Sequence, residues 1–441
     1  MNTPIVDFVK SYAESGTARL HMPGHKGKGL LGVEQYDITE IDGADVLYSP
    51  KGIILESENN ATELFKTAHT YYSTEGSSLS IKAMLAIATN GKNKTVLAAR
   101  NVHKAFLYGA ALLDLKVSWL YPETADHICS CVISPEALNE KLQGMDELPS
   151  AVYVTSPDYL GNMQDIKGLS EVCHRFSLPL LVDNAHGAYL GFLNESRHPI
   201  HLGADMCCDS AHKTLPVLTG GAYLHISKNA PKSYCENARR FLSVFASTSP
   251  SYLIMQSLDM CNKVLDEGFE ADLLNTVEKI DRLKADLQSV GWIFKGDEPL
   301  KLTLDCSGFG TNGEKIAVVL RQSNIECEFY DRDVVVLMFT PYIDDEAYET
   351  LKTVLSSVEK GVNEPCVGLP LCKGEQAMSI REALFSEQET VSVEMAVGRV
   401  CAAPNVACPP AVPPVMSGEV ITEDTLKILK YYNIEKIDVV K

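Results

Sequence analysis

Lys213 closes the stretch Ser210-Ala211-His212-Lys213, just beyond the short apolar run Met206-Cys207-Cys208. A glycine pair, Gly220 and Gly221, follows soon after. Earlier in the chain, Leu180-Leu181-Val182-Asp183 has the pattern of a short buried strand that ends in an aspartate, and Asn184-Ala185-His186-Gly187 comes next. A lysine amine can form a Schiff base with an aldehyde. An aspartate at a neighbouring strand end can keep a pyridine nitrogen protonated, so that the ring draws electrons. Together they suit one cofactor, pyridoxal phosphate (PLP). A lone Ser-x-His-Lys also fits a solvated surface lysine, so the reading rests on the pieces occurring together and in order.

A phosphate needs a cradle. Tyr71-Tyr72-Ser73-Thr74-Glu75-Gly76-Ser77-Ser78 precedes a clear helical pattern from Leu79 to Thr89. A hydroxyl-rich, glycine-containing turn that opens a helix offers backbone N–H groups, the helix dipole and serine hydroxyls to one anion. The same residues also fit an ordinary serine N-cap. His21-Met22-Pro23-Gly24-His25-Lys26-Gly27 cannot form a regular element. It is either a turn with incidental histidines or a loop that reaches a catalytic site.

The elements around these residues alternate. Residues 2–15 read as a helix with Thr3 as cap and Pro4 in its first turn. Asp45 to Ile54 is irregular and Asn60 to Ala68 helical. Strands follow at 95–99, 116–120, 151–155 and 179–183, with helices up to Leu113 and at 135–142 and 166–176. This rhythm predicts an α/β fold with a mostly parallel sheet, and ligands in such sheets sit at the carboxyl ends of strands. Asn101 to Lys104, Ser156 to Leu160, Asp183 to His186 and Ser210 to Lys213 all fall at such ends. Arg239 to Ser251 has the look of a hinge, followed by helices at 252–265 and 269–290. Short strands around a helix at 313–320, then a helix at 344–355, make a small α/β unit. Asn363 to Lys373 reads as a linker, and 403–414 as an extended proline-rich segment.

Composition narrows the function. The 441 residues suffice for two or three domains. A formal net charge of −19 argues against nucleic acid or an anionic membrane surface as partner. No stretch reaches the roughly 20 apolar residues of a membrane span, and the first residues lack a signal-peptide pattern. The 13 cysteines are scattered, without zinc-site spacing or a Cys-x-x-Cys, so reduced thiols in a cytoplasmic protein and no metal are expected.

With these pieces in order, the chain resembles the bacterial Orn/Lys/Arg decarboxylases, a group of fold-type I PLP enzymes. The matching stretches are His21 to Gly27, Ser49-Pro50-Lys51-Gly52-Ile53-Ile54, Arg100-Asn101-Val102-His103-Lys104, Val182 to Gly187, Ser210 to Lys213, Ser247-Thr248-Ser249-Pro250-Ser251-Tyr252, and Gly398-Arg399-Val400 with Pro409-Pro410, Pro413 and Gly418-Glu419. The likeness is to the shorter members, which lack the large N-terminal wing domain. It implies an aspartate-aminotransferase-like large domain with a small α/β domain and a C-terminal α+β domain. The expected boundaries are an arm at 1–45, a PLP-binding domain at 46–265, a small domain at 266–360 and a C-terminal domain at 361–441.

The resemblance also implies roles. Lys213 carries PLP, Asp183 pairs with the ring nitrogen, His103 stacks on the ring and His186 lies beside it. Ser77, Ser78, Ser210 and His212 contact the phosphate. Thr248 reaches the phosphate of a neighbouring subunit, which implies a homodimer with shared active sites and leaves a higher oligomer open. The implied reaction is decarboxylation of lysine, arginine or ornithine to cadaverine, agmatine or putrescine. A cationic substrate side chain calls for a carboxylate, and Glu394 and Glu419 are the candidates. Three positions depart from the family pattern: Glu75 in the cradle, Tyr48 before Ser49-Pro50, and Ala411-Val412 inside the proline segment. Two other readings stay open: another fold-type I reaction (aminotransferase or lyase), and a PLP-binding protein without turnover.

Overall fold

The computed structural model describes residues 1–123, 127–362, 373–403 and 411–441. The expected linker at 363–373 lies outside them except for Lys373. So do residues 404–410 of the proline segment, including Pro409 and Pro410.

In chain order the helices and strands begin with α1 (Pro4–Glu14), α2 (Ile53–Leu64), β1 (His69–Ser73), α3 (Ser77–Thr89), β2 (Thr95–Ala99), α4 (Lys104–Leu113) and β3 (Lys116–Leu120). Next are α5 (Pro135–Gln143), β4 (Ala151–Thr155), α6 (Ile166–Arg175), β5 (Leu180–Asp183), β6 (Met206–Asp209), α7 (Ala211–Thr214) and β7 (Ala222–Ile226). Then come α8 (Lys232–Phe245), α9 (Tyr252–Asp266), α10 (Phe269–Ser289), β8 (Phe294–Lys295), β9 (Lys301–Asp305), α11 (Cys306–Phe309) and α12 (Gly313–Gln322). The chain continues through β10 (Phe329–Tyr330), β11 (Val334–Met338), α13 (Asp345–Ser356), α14 (Ile380–Phe385), β12 (Gln388–Ser392), β13 (Cys401–Ala403), α15 (Glu423–Tyr431) and β14 (Lys436–Val440).

Two compact units result: Met1–Lys92 with Ile166–Ala271, and Asn93–Asp165 with Asp272–Lys441. Each draws on separated parts of the chain. In the first unit the strands lie in the order β1-β7-β6-β5. β5 and β6 are parallel, while β7 runs against both β6 and β1. Every residue of β5, β6 and β7 is buried, which suits continuous apolar runs covered on both faces. In the second unit β2 pairs in parallel with β3 and with β4. That unit also holds the antiparallel sheet β10-β11-β9-β8 and the antiparallel sheet β12-β14-β13.

Two elements differ from the sequence expectation. The helix expected at 60–68 is α2, which begins at Ile53 and stops at Leu64. Its start is set from a distance: the Asp45 carboxylate accepts N–H groups of Lys51 (2.8 Å), Gly52 (2.8 Å) and Ile54 (3.2 Å). An acceptor this far upstream does the work of an N-cap without a local signature. The expected hinge at 239–251 is mostly α8, whose buried stripe Tyr234, Ala238 and Leu242 recurs every four residues. Only 246–251 is irregular.

Candidate functional site

In the first unit, parallel pairing of β5 with β6 sets Asp183 opposite Cys208. Asp183 is buried, and its Oδ1 accepts from the Ala185 N–H (3.2 Å) and the Cys208 thiol (3.6 Å). The chain then turns, closed by Gly187 N–H to the Asn184 carbonyl at 2.8 Å. A Cβ on Gly187 would lie 2.1 Å from Asn184 Oδ1, so the turn requires glycine. This turn carries His186, whose Nε2 stands 3.0 Å from Lys213 Nζ. Lys213 itself sits in the single turn α7, directly after β6. His212 Nδ1 is 2.9 Å from the Gly221 carbonyl. A carbonyl only accepts, so Nδ1 carries the proton.

The cradle is built as the anion reading requires. The residue before α3 is Gly76, at φ 70°, and no side chain caps the helix. Ser77 and Ser78 are its first two residues instead of its N-cap. Ser210 Oγ donates to Ser77 Oγ at 2.8 Å, which joins the end of β6 to the start of α3. Exposed Glu75 accepts the Ser247 N–H at 2.6 Å, and so ties exposed Thr248 and its loop to the cradle turn. The phenol of Tyr48 is pushed up by burial and by the nearby Glu75 and Glu40 carboxylates.

His103 belongs to the second unit. It is the N-cap of α4, and its Nδ1 accepts the Ala105 N–H at 3.1 Å. That bond makes Nε2 the protonated nitrogen of the neutral ring. The next residue, Lys104, donates its N–H to the Ala411 carbonyl at 2.9 Å. Buried Ala411 adopts φ 57°, the left-handed region that favours glycine.

Neither glutamate expected to meet a substrate cation presents a bare carboxylate. Glu394 is a solvated surface residue, 3.1 Å from Lys430. Glu419 is buried, takes both Arg100 guanidinium nitrogens at 2.7 Å, and also accepts the Met416 N–H at 2.9 Å.

Sequence reasoning missed a buried polar knot behind the site. Asp209 accepts from Asn184 Nδ2 (2.7 Å) and meets His198 Nε2 (3.0 Å) and His225 Nε2 (3.1 Å). The one available signal was an aspartate beside Ser210 at the end of an otherwise apolar strand.

Buried parallel strands that deliver an aspartate, a histidine and a lysine to their carboxyl ends, beside an uncapped helix start, define the fold-type I class of α/β enzymes. The chain belongs to the Orn/Lys/Arg decarboxylase family: the model of the family's major domain matches residues 3–303, and that of its C-terminal domain matches 367–437. It is 28% identical to an arginine decarboxylase of Bacillus subtilis over 97% of this chain and 93% of that one. It is 27% identical to the arginine decarboxylase of Bacillus anthracis, over 97% and 92%. Among solved structures, the lysine decarboxylase LdcF of Francisella novicida has the same fold, with a TM-score of 0.83 and 17% identity, covering 100% of this chain and 81% of that one. The constitutive lysine decarboxylase of E. coli gives 0.80 at 18% identity, covering 100% and 82%.

The donor set fits PLP. Two serine hydroxyls joined to each other, an uncapped helix start and a lysine one turn beyond a strand match a phosphate and an aldehyde, and a buried carboxylate matches a pyridinium.

Proposed function

We propose that the protein removes CO2 from a basic amino acid with PLP held on Lys213. The observation that carries this is the 3.0 Å approach of Lys213 Nζ to His186 Nε2, beside buried Asp183 and the uncapped start of α3. The chemistry supplied by bound PLP is an electron sink for the pair left at Cα when CO2 departs. Ser77, Ser78, Ser210, His212 and the first N–H groups of α3 bind the phosphate. Asp183 keeps a proton on the ring nitrogen, where burial strengthens the pairing of charges. The family resemblance would give His103 the role of holding the ring face. Lys213 Nζ or His186 Nε2 returns the proton to Cα.

The named relatives support arginine as the first substrate to try, with lysine and ornithine beside it. A second copy of the chain completes the site in this reading. The exposed Thr248 loop supports that, as do the bare apolar side chains of the N-terminal arm: Leu20 is 95% exposed and Leu31 82%. No helix among the described residues is long and apolar enough to cross a membrane.

The test is CO2 release by purified, PLP-loaded protein across a panel of amino acids, with Lys213→Ala as control. Release from one basic amino acid, lost in the variant, is the expected result. Bound PLP with no CO2 from any amino acid would overturn it and favour the PLP-binding protein without turnover. Amino-group transfer in place of CO2 would assign the chain to the aminotransferases.

A further inference from the structure

The Asp209 carboxylate of the first unit is fully buried. Besides the Cys207 thiol of its own strand (3.9 Å), three partners from other parts of the chain surround it. His198 precedes a short 3-10 turn, His225 lies on β7, and Asn184 opens the turn after β5. His225 extends the chain of contacts, because its Nδ1 is 2.9 Å from Thr70 Oγ1 on β1. Burial holds His198 below its ordinary value, against the opposing pull of the Asp209 carboxylate. Asp209 is held well below the usual carboxylate range despite its burial, because the two imidazoles favour its charged form. A buried carboxylate with this many partners fixes their positions tightly.

Two active-site groups hang on this knot. Asp209 is the residue before Ser210, which reaches Ser77. The Asn184 amide packs inside the turn that presents His186, against the face of Gly187.

We propose that Asp209, acting through Asn184 with His198 and His225 as its supports, is a positioning residue for His186 and so for the Lys213–His186 pair. The proposal rests on Lys213 being the cofactor lysine, and the knot itself touches neither cofactor nor substrate. Loss of the Asp209–Asn184 bond frees the 184–187 turn to move, and a displacement of about 1 Å at a reacting group costs on the order of a hundredfold in rate.

The test compares Asp209→Asn and Asn184→Ala with the wild type. Asn184→Ala leaves both histidines on Asp209, so it reports on the turn even if Asp209→Asn fails to fold. The first readout is capture of PLP by cofactor-stripped protein, followed by absorbance across pH. The second is the split between kcat and KM. The expected result is slower capture with a displaced pH profile, and a kcat reduced about tenfold or more at nearly unchanged KM. A folded Asn184→Ala with wild-type capture, pH profile and kcat would overturn the proposal. One zinc per chain in the purified wild type would also overturn it, because His198, Cys207, Asp209 and His225 place their ligand atoms within 4.8 Å of one another and coordination would replace these bonds. Capture needs no decarboxylation, so it still reads out if the proposed reaction is wrong. Unchanged capture by Lys213→Ala would instead sink the assignment of Lys213.

Discussion

Arg100 and Glu419, 319 residues apart in sequence, meet in a two-pronged ion pair with both N–O distances at 2.7 Å. Arg100 also lies over the Trp119 ring, its guanidinium carbon 5.1 Å from the centroid. The pair ties the β2–α4 loop, which ends at His103, to the segment near the C-terminus. Glu419→Ala would strand the Arg100 charge and leave the Met416 N–H without its acceptor. The expected loss is roughly 3 kcal/mol of stability, read from denaturant unfolding. A loss below about 1 kcal/mol, the range of an exposed pair, would show that the clamp contributes little.

Glu75 combines a structural bond with a charge, and the two can be separated. Gln at this position keeps an acceptor for the Ser247 N–H and removes the charge beside the turn proposed to hold the phosphate. Ala removes both. Glu75→Gln is therefore expected to tighten PLP binding severalfold and Glu75→Ala to weaken it relative to Gln, as measured by fluorescence titration. Equal affinities for Gln and Ala would show that the bond to the 247–249 loop has no bearing on the cradle.

Asp259 accepts the N–H groups of Ile5 (2.9 Å) and Val6 (3.0 Å) at the start of α1, and the hydroxyl of Ser57 (2.5 Å). Burial pushes its pKa up to about 6 from 3.8, against the lowering effect of those bonds. The folded state thus holds this proton more tightly than the unfolded chain. The stabilisation is present in full below about pH 4 and fades as pH rises to about 6. Asp259→Asn, whose one carbonyl oxygen can still accept both backbone N–H groups while its amide turns as a donor to the Ser57 hydroxyl, should lose this dependence. The difference in melting temperature between variant and wild type should move in favour of the variant from pH 4 to pH 7. A constant difference across that range would reject the shifted carboxyl.

Ala411 holds a left-handed backbone conformation that costs a residue with a Cβ about 1 kcal/mol or more. Ala411→Gly should relieve it, offset in part by the greater freedom of glycine in the unfolded chain. A gain of up to about 1 kcal/mol in unfolding free energy is expected. A clear loss would mean that packing of the buried methyl outweighs the strain.

Pattern within a short window was enough to read β2, β3 and β4 to the residue; β2 and β4 are buried apolar runs, while β3 is only part-buried. The same holds for Asp183, Ser210 and Lys213: they stand where strands end, and strand ends are local features. The start of α2 was not legible, because its cap is a carboxylate seven residues before Gly52. The true partner of Glu419 and the donors around Asp209 were hidden for the same reason on a larger scale. An ion pair or hydrogen bond depends on where two side chains meet in space, and nothing in the spacing of Arg100 from Glu419, or of Asp209 from Asn184, records that meeting. The sequence by itself determined most of the elements, the family, and the placing of Asp183, Ser210 and Lys213 at strand ends. Only the tertiary structure decided which acidic groups are engaged within the protein and which histidines meet Asp209. Desolvation makes an unpaired buried charge costly, so the fold had to bring each buried carboxylate its donors.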